Sequence, residues 1–448
     1  MEKYDVIIVG AGPAGIFAAL ELSKVESLKV IILDKGSDIE ERLREVPRSL
    51  LCGWGGAGAF SDGKLTLSTQ VGGQLTAYVP EEEAARLIKY VDQTYVDFGA
   101  PEKVYGTNED EVNRIARKAV LADLKLIPSA IRHVGTDQWP DMLRKMREVV
   151  EKRVDVRMET AVSSILTREG KATGVETASG ETIEGRYVII APGREGADWL
   201  LEEARRLDLE SINNPVDVGV RVELPAPVLE ELTDAIYEPK LVFYSPSFDD
   251  KVRSFCVCPY GEVVVEYNDS VTTVNGHSYA NKKTKNTNFA LLVSTMFTEP
   301  FREPITYGRY IASLSNLLSG SVIVQRLGDL MEGRRSTWSR IEHGLVEPTL
   351  KTATPGDLSF VLPYRHLGGI MEMIEAMDKL APGVASRHTL LYGVEVKFYS
   401  SRLTLTPSLE TDITNLFTIG DGAGVTRGLV QSSASGVIAA REIIKRGS

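Results

Sequence analysis

The chain has 448 residues, 43% hydrophobic and 25% charged, an ordinary globular composition that excludes disorder as a description of the whole. Its length, at about 150 residues per domain, anticipates about three domains. Lys and Arg number 51 against 62 Asp and Glu, a formal charge of −11, which argues against a nucleic-acid partner or an anionic membrane surface.

Residues 4–9, Tyr-Asp-Val-Ile-Ile-Val, form a short β-branched apolar run of the kind that makes a buried parallel strand. Gly10-Ala11-Gly12-Pro13-Ala14-Gly15 follows at once, and Ile16, Ala19, Leu20 and Ser23 recur at helical spacing. Residues 28–33 read as a second strand, ended by Asp34 and followed by Lys35. Strand, glycine turn, helix, strand and acid make one βαβ unit. Gly10 permits the tight turn, Gly12 lets the backbone approach a pyrophosphate, and Gly15 lets helix and strand pack closely. The helix N-terminus offers N–H groups and a positive dipole end. Asp34 stands where an acid binds a ribose 2′-hydroxyl. Dinucleotide binding is the expectation.

Gly53-Trp54-Gly55-Gly56-Ala57-Gly58 repeats the GxGxxG spacing, but residues 43–51 do not read as a strand. Residues 52–64 are expected to form a loop whose small residues, Gly55, Gly56, Ala57 and Gly58, with Asp62, let a planar ligand come close. Residues 80–126 read as helices, with Asn108 and Glu111 as a capping box. Residues 140–152 read as an amphipathic helix. Residues 154–190 read as a three-stranded meander with turns at Glu169-Gly170-Lys171 and Ser179-Gly180-Glu181. Its last strand runs into Ala191-Pro192-Gly193-Arg194. Between 215 and 385 the pattern gives short strands at 218–222 and 262–266 and helices at 288–297, 305–318 and 369–380. Residues 415–419 read as a strand, Gly420-Asp421-Gly422-Ala423-Gly424 as a turn, and 428–444 as an apolar helix. Asp421 can bind a polyol or phosphate, and the helix dipole can face developing negative charge.

Together these pieces resemble the glutathione-reductase-like superfamily of FAD flavoproteins. The resemblance implies an α/β fold: a Rossmann-like FAD-binding domain, parallel sheet plus three-stranded β-meander, with a mixed α+β substrate domain inserted. It implies an FAD-binding domain from residues 1–75, 140–212 and 387–448, a helical insertion at 76–139 and a substrate or cap domain at 213–386. The first βαβ unit, with Asp34 and Lys35, would bind the ADP half, and Val162, Ala191, Gly193 and Arg194 would lie along the cofactor. Asp421 would bind the ribitol chain, and the amides near Gly428-Leu429-Val430, close to Gly420, would face the flavin N1–C2 edge.

A narrower resemblance, to a family of FAD-dependent dehydrogenases, is carried by Gly55-Gly56-Ala57-Gly58-Ala59-Phe60-Ser61-Asp62-Gly63-Lys64-Leu65, His133-Val134-Gly135-Thr136-Asp137 and Phe255-Cys256-Val257-Cys258-Pro259. Asn275-Gly276-His277-Ser278-Tyr279, Val324-Gln325-Arg326-Leu327-Gly328-Asp329, Gly393-Val394-Glu395 and Ser400-Ser401-Arg402 continue it in order. His277 stands where Met is expected, Tyr260 where Gly is expected, and Thr426-Arg427 where many members carry smaller residues. The activity implied is an FAD-dependent oxidoreductase passing a hydride between a small organic substrate and flavin N5.

No second glycine-rich βαβ unit is present, so a dedicated NAD(P)H domain is not expected. NAD(P)H binding transiently over the flavin, or an electron-carrier protein, would supply electrons. Lys64, Cys258, Arg427 and His366 are the candidates for proton transfer or substrate anchoring. Cys256 and Cys258 share a strand face and are either a thiol pair near the flavin or small apolar core residues. A disulfide across one residue would be strained, and a metal site lacks a second matching pair. The five histidines show no metal-binding spacing. Three cysteines build no disulfide framework, and no targeting segment or apolar run near ~18 residues is visible, so a cytoplasmic protein is expected. The alternatives on the same scaffold are flavin-dependent tRNA modification, NAD-consuming thiazole formation, prenyl-chain reduction and an FAD module without catalysis.

Overall fold

The computed structural model describes residues 3–44, 51–61, 63–135, 138–212, 214–268, 271–279, 282–297, 303–398 and 402–447. It divides into two compact units, one of Met1–Lys103, Arg132–Asn214 and Tyr399–Ser448, the other of Val104–Ile131 and Pro215–Phe398. Among the described residues no helix is long and apolar enough to cross a membrane.

The first unit is Rossmann-like. Its elements are β1 (Lys3–Val9), α1 (Pro13–Leu22), β2 (Val30–Leu33), α2 (Glu81–Asp97), α3 (Trp139–Val150), β3 (Val154–Arg157), β4 (Val162–Arg168), β5 (Lys171–Thr177), β6 (Thr182–Ile190), β7 (Leu416–Thr418) and α4 (Leu429–Gly447). The parallel strands run in the order β3-β2-β1-β6-β7. β6 also pairs antiparallel with β5, and β5 with β4. Val6, Ile7, Ile8, Ile31 and Ile32 are fully buried on both faces of the sheet, as covered parallel strands require. α1 and α4 cross where side chains are smallest: a Cβ on Gly436 would lie 2.0 Å from Ala14 O.

Two expectations change here. Residues 154–157 are not the first strand of the meander. They pair parallel with β2, Val30 opposite Val154 and Ile32 opposite Val156, and the meander is β4, β5 and β6. Residues 76–139 are not a separate helical insertion: α2 lies in the first unit, and residues 104–131 belong to the second.

The second unit is built on an eight-stranded sheet, in the order Thr354–Pro355, Ile323–Arg326, Leu390–Lys397, Val216–Pro225, Asn286–Thr295, Lys251–Cys258, Lys240–Tyr244 and Lys125–Ile127. All its pairings are antiparallel except the first. The residues 387–398 expected in the FAD-binding domain contribute instead a central strand here, hydrogen-bonded along Val216–Pro225. The helix expected at 288–297 is also a strand, Asn286–Thr295, buried from Asn286 to Val293 between two neighbours. A continuous apolar run reads alike as a buried helix or a buried strand. The helix expected at 305–318 forms as Pro304–Ser319, the one expected at 369–380 begins earlier, as Tyr364–Leu380, and Asn108 caps Glu109–Leu121 by accepting from Glu111 N at 3.3 Å.

Strand Val216–Pro225 alternates with period two. Val218, Val220, Val222 and Leu224 join the apolar cluster that includes Ile370 and Met373 of helix Tyr364–Leu380. The opposite set, Asp217, Arg221 and Glu223, is equally buried at 0–1% exposure. The hairpin Glu262–Asn268/Val271–His277 supplies partners to that polar face, where Asn275 Oδ1 accepts from Arg221 Nη2 at 3.1 Å.

Candidate cofactor-binding site

The first unit brings the glycine signatures together at the carboxyl ends of β1, β6 and β7. Gly10 holds φ at +107°, and a Cβ there would lie 2.0 Å from Ala191 O. That contact clamps the β1 turn to the turn after β6, so only glycine fits. Gly12 is the N-cap residue of α1, with no side-chain cap and Pro13 in the first turn. Helix N-termini leave backbone N–H groups without intrahelical partners, and those of Ala14 and Gly15 are suited to an anion. A Cβ on Gly12 would meet only Gly56 Cα, at 4.0 Å, and one on Gly193 nothing within 4 Å. The donor set and the space therefore fit a dinucleotide pyrophosphate.

At the end of β2, Asp34 does more than the sequence reading assigned it. Oδ2 accepts from Ala11 N at 2.7 Å, and Oδ1 from Gly36 N and Gly53 N, both at 2.8 Å. One 8%-exposed carboxylate thus ties three chain segments together. Of its roughly four acceptor positions, about one remains for a ribose hydroxyl. Lys35 pairs with Glu195 at 2.7 Å. Glu159 N donates to Gly36 O and Thr160 N to Asp34 O, which brings the start of β4, with half-buried Val162, beside the acid. Arg194 is exposed.

The second glycine run forms a short 3-10 helix, Gly56–Phe60. The close approach its glycines permit is made to protein. A Cβ on Gly53 would lie 2.4 Å from Ser37 O, on Gly55 2.5 Å from Leu143 Cδ1, on Gly56 3.0 Å from Gly12 Cα, and on Gly58 3.0 Å from Leu429 Cδ2. Ala57 alone among these is half-buried. Asp62 lies outside the described residues, as do Thr136, Asp137, Ser400 and Ser401. Arg42, unremarked in the sequence, is fully buried and holds this run in place. Its Nη1 donates to Trp54 O at 2.6 Å and its Nη2 to Gly56 O at 3.1 Å.

The turn after β7 packs on the same centre. A Cβ on Gly420 would be 3.1 Å from Ala14 Cβ, and one on Gly422 2.3 Å from Gly193 O. Thr426 Oγ1 donates to Asp421 Oδ1 at 2.6 Å. Gly428 precedes α4, half-buried Leu429 starts it and Val430 is buried. Gln431, also missed in the sequence, secures the neighbouring segment by donating to Ser68 O and Val71 O and accepting from Leu75 N. Arg427 N donates to Gly72 O at 2.8 Å.

The four catalytic candidates divide between the units. Lys64, buried at 9% exposure, and Arg427 lie in the first; Cys258 and His366 lie in the second. Cys258 stands opposite Asn288, which stands opposite Glu223 on the polar face of the sheet. His366 Nε2 meets Thr295 Oγ1 at 2.8 Å, and Thr295 stands opposite Val216 on the apolar face. Successive strand residues point to opposite faces, so the sheet separates Cys258 from His366. Burial, with Arg365 nearby, lowers the His366 pKa against the opposing pull of Asp250. Among the described residues, no group of three or more His, Cys, Asp or Glu side chains is placed to hold a metal.

The polar face of that sheet carries a buried charge network. Arg221 Nε and Nη2 donate to Glu395 at 2.8 and 3.0 Å, both residues fully buried. Lys397 reaches Glu395 at 3.1 Å and Glu266 at 3.5 Å. Burial pushes the Glu223 pKa up, against the hydrogen bonds of Thr349, Tyr392 and Asn286; Tyr392 Oη donates to it at 2.5 Å.

Comparison with known proteins adds a cofactor to this geometry. Residues 5–42 match the family described as FAD binding domain, and residues 215–398 the family described as FAD-dependent protein, C-terminal domain-like. An uncharacterized protein of Clostridium beijerinckii is 29% identical, over 99% of this chain and 81% of that one. Protein FixC of Salmonella typhimurium is 25% identical over 51% of this chain and 46% of its own length. L-proline dehydrogenase from P. horikoshii superposes with a TM-score of 0.44 at 13% identity, over 100% of this chain and 94% of that one. The two family matches cover the βαβ unit and the second unit's sheet, and FAD is the dinucleotide that this flavoprotein binds.

Proposed function

We propose that this flavoprotein is an oxidoreductase of the glutathione-reductase-like superfamily, passing a hydride between a small organic substrate and FAD. The observation that carries the reading is the convergence on the start of α1, at the carboxyl ends of parallel strands, of Gly420 beside Ala14 and of Gly58 between Pro13 and Leu429, the first residue of α4. Bound FAD supplies a hydride-transferring centre at its N5 atom. The chain's own residues would bind and orient it. Gly12 and the Ala14 and Gly15 amides would hold the pyrophosphate. Asp34 takes a ribose hydroxyl, Asp421 the ribitol chain, and Ala57 with the Gly56–Phe60 turn borders the ligand. The positive end of α4 at Gly428, Leu429 and Val430 would stabilise negative charge on the isoalloxazine.

Lys64 and Arg427 are the first unit's candidates for anchoring an anionic substrate group, and Cys258 and His366 the second unit's candidates for proton transfer. Because the sheet separates the last two, at most one of them serves a given reacting atom. NAD(P)H, bound transiently, or an electron-carrier protein would donate electrons. The charge of −11 weighs against an RNA substrate.

The purified chain should be yellow, bleach with dithionite, and release FAD on denaturation, identified by mass spectrometry. Colourless protein that neither releases nor takes up flavin overturns the reading. NAD-derived products in place of FAD would turn it toward thiazole formation.

A further inference from the structure

The second unit places two thiols together in a way that the flavin chemistry does not require. Cys256 Sγ and Cys258 Sγ lie 3.8 Å apart, both thiols, with no disulfide among the described residues. They sit where the pairing of Lys251–Cys258 with Asn286–Thr295 slips between Phe255 and Cys258. Cys256 holds φ at +47°, a left-handed conformation that non-glycine residues adopt rarely. In a regular strand the two residues would point the same way with side chains well separated. The bulge brings the sulfurs together.

The bulge is held from within. Arg221, fully buried, donates through Nη1 to Cys256 O at 2.7 Å. The Cys258 thiol donates to that same carbonyl at 3.4 Å, and the Cys256 thiol to Gly276 O at 3.9 Å. Burial opposes the Arg221 charge, but Glu395 and the two cysteine sulfurs outweigh it and raise its pKa. Accessibility differs between the two: Cys256 is half-buried and Cys258 buried.

We infer that Cys256 and Cys258 form a redox-active dithiol that reduces an external low-molecular-weight disulfide, independently of the flavin. The Cys256 thiolate attacks one sulfur of the external disulfide, forming a mixed disulfide and releasing one thiolate. Cys258 then attacks the Cys256 sulfur, closing the intrachain disulfide and releasing the second thiolate. The protein loses two electrons and two protons, and the external disulfide becomes two thiols. Closure must shorten the sulfur separation from 3.8 Å to about 2.05 Å. A disulfide across a single residue is strained and its couple correspondingly oxidising, so closure is driven by an excess of the external disulfide.

The test is thiol mapping of the folded, full-length chain after incubation with excess oxidised glutathione. The expected result is a peptide spanning both cysteines that has lost two hydrogens, resists alkylation and regains two alkylatable thiols with dithiothreitol. In Cys258→Ser a glutathione should stay on Cys256, and in Cys256→Ser the buried Cys258 should stay unmodified. A wild-type map with both thiols still alkylatable, or with a stable glutathione adduct on either, overturns the proposal, and so does closure no faster in the folded protein than in urea. The wild-type map decides the matter even if a variant fails to fold, and it reads no flavin turnover, so its failure leaves the oxidoreductase reading untouched.

Discussion

Asp34→Ala separates the two roles given to this carboxylate. The substitution strips an acceptor from Ala11 N, Gly36 N and Gly53 N at once, in a site where only 8% of the residue is exposed. A hydrogen bond to a charged group contributes about 1.5–3 kcal/mol. Three bonds to one carboxylate do not add fully, because the loops relax together, and the expected loss is about 3–5 kcal/mol. Asp34→Asn keeps one acceptor oxygen but turns an NH2 toward donors, and should lose about 1–3 kcal/mol. Urea unfolding of flavin-free protein is the assay, followed by the fluorescence of Trp54 and Trp139, both buried in the first unit. Removing the flavin excludes any contribution from its ribose. If flavin-free Asp34→Ala unfolds within about 0.5 kcal/mol of wild type, the span of an ordinary surface change, the three amides are not organised by Asp34 and the argument fails.

Two further outcomes follow from the same unit. Gly436→Ala places a methyl 2.0 Å from Ala14 O and 3.0 Å from Ala18 N; overpacking of this kind costs about 1–3 kcal/mol or more, so melting temperature and flavin content per chain should both fall, and an unchanged melt would refute the α1–α4 contact. Glu410 is raised by burial, but the two hydrogen bonds from Arg446, at 2.8 and 2.7 Å, and one from Asn415 N, at 2.7 Å, bring its pKa below the ordinary value of 4.5. A depressed folded pKa contributes stability above the unfolded value that is lost as pH falls through the folded one. Wild type should therefore exceed Glu410→Gln in stability at neutral pH, with the gap closing below about pH 4.5; a gap independent of pH in denaturant titrations would show that the charge is not responsible.

The parallel core and the glycine turns were legible because each is local. Residues 4–34 carry strand, turn, helix, strand and acid within one short stretch, and the φ of Gly10 follows from chain geometry. The turn after β7 was legible for the same reason. The strand at 286–295 was not: Asn-Thr-Asn-Phe-Ala-Leu-Leu-Val-Ser-Thr is apolar throughout its middle, and only two flanking strands settle its period. Residues 154–157 alternate as a meander strand would, and their pairing with β2 is a long-range choice. Arg42 looks like any charged residue of a short amphipathic helix, yet its partners Trp54 O and Gly56 O become neighbours only when the second glycine run folds back.

By itself the sequence determined a dinucleotide-binding turn and its placement between strand and helix, since steric access to the backbone depends on residues adjacent in the chain. Tertiary structure alone decided that Asp34 ties three segments, that the second glycine run packs on protein, that Cys258 and His366 face away from each other, and that two sulfurs meet at a bulge. Each of those depends on which distant segments share a hydrogen bond or a sheet face, and register between strands is set by packing of the whole unit.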